Sequence, residues 1–182
     1  MDHTCVFLLV ALASLLSVQG GPTLDVQTEL QTLRSMIENC QTENKGKLAF
    51  SATLLNSADS QTLGPYNVET TLVYKHVFTN VGNAYNSITG IFTAPVKGAY
   101  HFVFFALNNR PTSAEAYLKK NGEAVLMAHE TQSYGAGTAG NAVTLILEVG
   151  DTVYVTLPAN TQLYDNHHRH NTFSGHLLFK LY

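Results

Sequence analysis

Gly90-Ile91-Phe92-Thr93-Ala94-Pro95-Val96-Lys97-Gly98-Ala99-Tyr100-His101-Phe102-Val103-Phe104-Phe105-Ala106-Leu107 decides how the chain is read. It closes a longer extended stretch, Val77 to Leu107, and reads as a short apolar strand, a turn built on Pro95 and Gly98, and a long second strand. The two-residue period of a strand places Tyr100, Phe102, Phe104 and Ala106 on one face. Ala99, Val103, Phe105 and Leu107 fall on the other, interrupted by His101. A strand apolar on both faces needs a core on one side and a second cover on the other, from the same chain or another subunit.

Outward from this stretch the chain keeps a strand rhythm. Leu48, Phe50, Ala52 and Leu54 alternate with small and polar residues, and residues 56–67 read as a polar loop carrying Gly64-Pro65. Leu72 to Phe78 is extended, and Asn80-Val81-Gly82-Asn83 turns the chain. Downstream, Asn121-Gly122 sits between two alternating runs, a strong signal for a two-residue hairpin. Gly135 to Gly140 reads as a flexible connection; it lacks the Gly-Lys-Ser/Thr ending of a phosphate-binding loop. Val143, Leu145, Leu147 and Val149 form one face of the next strand, and Gly150-Asp151 turns it into Val153, Val155 and Leu157. Residues 158–170 read as a loop, and Phe173, Gly175, Leu177, Phe179 and Leu181 line the last strand. Eight to ten short strands with no intervening helix imply an all-β sandwich or jelly roll over 47–182.

The beginning of the chain differs. Val6 to Val18 is almost wholly apolar and is followed by Gln19-Gly20-Gly21, the length of a signal-peptide core and short for a membrane span, so 1–20 is expected to be a signal peptide of a secreted protein. A membrane anchor is the rival reading. Removal of Asp2 with that segment leaves 10 Lys and Arg against 13 − 1 = 12 Asp and Glu, with no basic block. That balance argues against nucleic acid as a partner. In the leader, 21–46, Val26, Leu30, Leu33, Ile37 and Cys40 are spaced four, three, four and three, an a/d heptad seam. A short oligomeric coiled coil accounts for it; a helix packed on its own domain is the alternative. Cys5 leaves with the signal peptide, so Cys40 stands alone in an oxidising compartment and is the candidate for an interchain disulfide.

Tyr74, Asn80, Tyr85, Phe92, Gly98, Tyr100, Phe102 and Phe104 reproduce, in order and spacing, the signature of the C1q-domain family, with Tyr74 standing where that signature carries Phe. Ala49-Phe50-Ser51-Ala52, Asn121-Gly122, Gly150-Asp151 and Phe173-Ser174-Gly175 are further matches. Residues 47–182 thus resemble a C1q domain. The resemblance implies a ten-stranded jelly roll related to tumour necrosis factor that assembles as a trimer, the eight signature residues serving as scaffold. No Gly-x-y repeat is present, so the chain is similar to short secreted globular-head or cerebellin-like members.

His167-His168-Arg169-His170 is an unusual polar cluster. His167, His168 and His170 are candidate transition-metal ligands, with a solvated surface loop as the alternative. A metal-dependent jelly-roll enzyme would need a carboxylate partner after them; none follows, and Asp165 precedes them. The resemblance makes calcium a candidate cofactor, with Asp151 as a ligand, although turn chemistry explains a Gly-Asp pair equally well. His176 reads as an exposed or interface position, and no catalytic constellation emerges. The expected function is non-enzymatic: a homotrimer, disulfide-linked into larger oligomers if Cys40 pairs, that binds repeated surface ligands in innate immunity or, alternatively, organises cell-surface or synaptic receptors. Loops 108–113, 131–140 and 158–170 are the expected contact surface.

Overall fold

Alternation of buried rings with outward residues dictates the architecture. The computed structural model describes residues 26–44, 47–55, 59–109 and 113–182, and the side chains of all of these except 26 and 39–44. The expected signal peptide, the side chains of Val26 and Cys40, and residues 110–112 of the first expected loop lie outside the described residues. The chain divides into two units, Met1–Lys45 and Gly46–Tyr182.

In the first unit helix α1 spans Val26–Asn44. Its seam residues Leu30 and Ile37 are exposed and Leu33 is half-buried. The second unit contains strands β1 (Ala49–Thr53), β2 (Gln61–Leu63), β3 (Thr70–Thr71), β4 (His76–Val81), β5 (Tyr85–Asn86), β6 (Ile91–Thr93), β7 (Gly98–Asn108), β8 (Ala114–Lys120), β9 (Glu123–Glu130), β10 (Gly137–Leu147), β11 (Thr152–Leu157), β12 (Leu163–Asp165) and β13 (Thr172–Lys180). A five-stranded sheet, β10-β7-β13-β1-β4, packs on a six-stranded sheet whose path is β5-β6-β11-β8-β9, with β3 beside β11. This is a mostly-β sandwich; among the described residues the ten strands expected become thirteen segments, because short pairs such as β2 with β12 form beside the two main sheets.

The core is aromatic. Tyr100, Phe102, Phe104 and Phe173 are fully buried, and Phe50 stacks on Tyr85 at 4.8 Å and meets Phe173 edge-on at 4.8 Å. Such pairs add to the area they bury by about 0.5–1.5 kcal/mol each. Gly175 makes the packing possible: a Cβ there would lie 2.5 Å from Phe102 and 2.7 Å from Phe50 ring carbons.

Two loops are shorter than the sequence implied. Gly137 opens β10, which pairs with β7 from Gly137↔Asn108 to Leu147↔Gly98, so the connection is 131–136. The glycine responsible is not a hinge: a Cβ on Gly140 would meet the Phe105 ring at 2.4 Å. Within 158–170, Leu163–Asp165 pairs with Gln61–Leu63, because Leu163 and Asp165 are both buried and require a strand's alternation and hydrogen bonds.

Candidate functional site

Seven of the eight signature positions are buried in the sandwich and Asn80 is half-buried, and three of the eight form a closed clamp. The Asn80 Nδ2 donates to the Tyr85 carbonyl at 2.8 Å, and the Tyr85 N–H donates to Asn80 Oδ1 at 3.2 Å. The Tyr85 hydroxyl donates to the Tyr74 carbonyl at 2.9 Å and accepts the Tyr74 N–H at 3.1 Å. Burial pushes the Tyr85 phenol up to about 12. Tyr74 is also buried, and its hydroxyl has no hydrogen-bond partner among the described residues. Burial first, then Tyr85 and Asp165, push its phenol far above the ordinary value.

A second clamp joins two turns at one end of the sandwich. Asp151 Oδ1 accepts Asn121 Nδ2 at 2.8 Å, while Oδ2 accepts the Glu148 N–H at 3.0 Å and pairs with the Lys120 ammonium at 2.9 Å. Asn121 Oδ1 in turn accepts the Thr152 N–H at 2.8 Å. These bonds, Asn121 foremost, hold the Asp151 carboxyl down at about 2. Both oxygens of the proposed calcium ligand are thus engaged by the turns, which ties Asn121-Gly122 to Gly150-Asp151.

The histidine cluster forms one tight turn after β12. Asp165 Oδ1 accepts the Asn166 N–H at 3.0 Å and the His170 N–H at 2.9 Å, and Asn166 Oδ1 accepts the His168 N–H at 2.8 Å. The His167 and His168 rings have centroids 3.8 Å apart and are tilted by 42°, and His168 to His170 is 5.9 Å. The Arg169 guanidinium lies 4.9 Å from the Phe78 ring centroid. The structure therefore brings the three imidazoles together along one loop. Among the described residues, however, no three His, Cys, Asp or Glu side chains are arranged to hold a metal ion.

The outward faces of the two sheets differ in kind. The six-stranded sheet carries charged groups in contact: Lys119 pairs with Glu69, and Glu115 Oε1 lies 3.3 Å from His129 Nδ1. The five strands of the other sheet contain no Asp, Glu or Arg, and Lys180 stands at the very end of β13. Its outward positions instead expose Phe105 (41%), Ile146 (52%), Val81 (51%) and Phe179 (56%). The outward side of β7, doubly apolar in sequence, is covered only in part by this chain, with Ala99 buried and Phe105 open. His101 and His176 stand opposite each other near the centre, ring centroids 5.5 Å apart. The sequence marks both histidines, one as a break in an apolar face and the other as an exposed or interface position. It does not show that they are a pair, because only the β7–β13 register joins them.

Two packed antiparallel sheets with this strand order, an aromatic core and one uncharged outward face define a jelly-roll sandwich of the C1q and tumour-necrosis-factor type. The family profile of the C1q domain matches residues 40–178, and the chain belongs to that family. It is 32% identical over 136 residues to complement C1q tumor necrosis factor-related protein 3 of Mus musculus and of Homo sapiens, which covers 74% of this chain. The chain spans about half the length, 52%, of these curated relatives. Among solved structures, the globular domain of zebrafish complement 1qA aligns with a TM-score of 0.55 at 22% identity, over 74% of this chain and 100% of that one. Murine APRIL at pH 5.0 aligns at 0.57 and 13% identity, over 74% and 99%. These likenesses establish the fold. C1q/TNF-like proteins are generally ligand-binding and non-enzymatic. Among the described residues no helix is long and apolar enough to cross a membrane.

Proposed function

We propose that the chain is a secreted recognition protein that assembles as a homotrimer and binds repeated ligands on microbial surfaces or altered cells. The observation that carries the reading is the outward face of β10-β7-β13-β1-β4. Exposed Phe105, Ile146, Val81 and Phe179 without an interspersed carboxylate or guanidinium form the kind of surface a subunit contact buries. C1q/TNF-like domains form trimers. The exposed Leu30 and Ile37 of α1 support the same assembly through a short coiled coil, and Cys40 lies on that seam, where a disulfide would link chains. Three copies of one loop set on a rigid body give avidity without new contacts. The ligand-binding loops in this reading are 108–113, 131–136 and 158–170, the last carrying the histidine turn.

A second reading keeps the assembly and changes the ligand to cell-surface or synaptic receptors, in the manner of cerebellins. The helix Val26–Asn44 ahead of the β-sandwich supports it. Light scattering on the secreted chain should return three times the chain mass or a multiple of it; a monomer at micromolar concentration overturns the assembly. Pull-down on microbial surfaces set against neuronal receptors separates the two ligand classes. A trimer that binds neither would overturn the recognition role.

A further inference from the structure

The centre of the uncharged sheet face holds two ionisable side chains. His101 on β7 and His176 on β13 are register partners, their rings 5.5 Å apart and inclined at 53°. On the other side, His101 Nδ1 is 3.2 Å from Thr144 Oγ1 of β10. His176 is exposed and faces Ala49 of β1, which in turn faces exposed Val81 of β4. One row across the sheet therefore reads Thr144, His101, His176, Ala49, Val81, and the next holds Ile146, Ala99 and Phe179.

The ionisable surroundings of this pair are sparse. β10 and β1 contribute none, β13 adds Lys180 at its far end, and β4 adds His76 at the sheet's margin. Lys47 and Lys75 flank β1 and β4. Past the strand ends, Lys97 is paired with Glu148 at 2.9 Å, and Lys120 is held by Asp151 and the Ile146 carbonyl. His129, on the adjoining β9, is turned to Glu115 of the other sheet. Among the described residues, the five strands of this face carry no carboxylate to neutralise an imidazolium.

We infer that His101 and His176 make the association of this chain with further copies of itself acid-sensitive. The inference rests on the trimer proposed above. The occupant of the face is a second copy because a surface without charges is matched by another such surface, and this chain supplies one. A partner bearing charged groups would have to bury them unpaired. Neutral imidazoles tolerate that cover, since each can donate one hydrogen bond and accept another. Two imidazoliums side by side, taken out of water with no anion nearby, do not. The free subunit accordingly binds more protons than the assembled one. By linkage, association is favoured while both imidazoles are neutral and weakens on the acid side, where they take up protons.

The test is sedimentation equilibrium of the secreted chain with Cys40→Ser, at pH 7.5 and 5.0, beside the same chain with His101→Gln and His176→Gln. The parent should dissociate at a concentration at least about tenfold higher at pH 5.0, the square root of the roughly hundredfold change in a trimer's dissociation constant that two excluded protons give over one pH unit. The double variant should shift by less than about twofold. A parent assembled at pH 7.5 and unmoved at pH 5.0 overturns this inference and leaves the trimer standing; a parent monomeric at pH 7.5 overturns both. A double variant that weakens as much as the parent assigns the effect to other groups and also overturns it. If the double variant lacks the parent's circular dichroism, His176→Gln alone decides, because its side chain is exposed. A reduced pH response then supports the pairing, and an unchanged one refutes it.

Discussion

Tyr74 gives the sharpest stability prediction, because this chain departs there from its family's signature by one oxygen atom. That oxygen is buried and has no hydrogen-bond partner among the described residues. Measured in proteins, burying a hydroxyl without a hydrogen bond costs about 1–3 kcal/mol. Tyr74→Phe removes the cost and leaves a gap of one atom, whose lost contacts return a few tenths of a kcal/mol. The expected outcome is a gain of about 1 kcal/mol, a rise of about 3 °C in Tm for a domain of this size. The control is Tyr85→Phe, eleven residues on in the same clamp. Its hydroxyl serves both the N–H and the carbonyl of Tyr74, so its removal should cost about 2–4 kcal/mol. Guanidinium unfolding at one fixed protein concentration reads both, with the m-value checking that the transition stays two-state. A loss of 1 kcal/mol or more in Tyr74→Phe would show that the hydroxyl is engaged and refute the reasoning.

The Asp151 clamp makes an acid-side prediction. Its carboxyl sits at about 2 in the folded chain against an ordinary 3.8, so its contribution is present above pH 4 and is lost as pH falls through about 2. Asp151→Asn should flatten the dependence of stability on pH between 4 and 2 while costing about 1 kcal/mol or less at pH 7, since the Lys120 pair is partly exposed; identical slopes would remove the clamp's electrostatic role. Gly175→Ala should cost about 1–3 kcal/mol, because the Phe102 and Phe50 rings must yield to the new methyl. Thermal unfolding checks it, and an unchanged midpoint would mean that the rings have room.

The fold was legible because its longest strand declares itself. Tyr100, Phe102, Phe104 and Ala106 fall on one face in sequence and are all fully buried. Glycine misled: Gly137 and Gly140 look like turn residues, yet Gly140 is a strand position on which the Phe105 ring lies. Local sequence cannot separate those two uses of a missing Cβ. The β2–β12 pairing was invisible for another reason, since Gln61–Leu63 and Leu163–Asp165 are each too short to show a period and meet across a hundred residues. At the candidate site the residues were visible and their relations were not. Asp151 was readable as an acid in a turn, but only the fold brings Asn121 and Lys120 to it. His101 and His176 became one feature through strand register.

A sheet face without charges has a consequence for the choice of partners. Charge patterns discriminate by repulsion, and a face lacking carboxylates and guanidiniums has no such means of refusing a wrong chain. Selection among related subunits made in the same cell would then fall to shape, to whether a neighbour has hollows where Phe105 and Phe179 project. In the proposed assembly, a change of size at either ring, with no change of charge anywhere, would be enough to redirect which chains fit together.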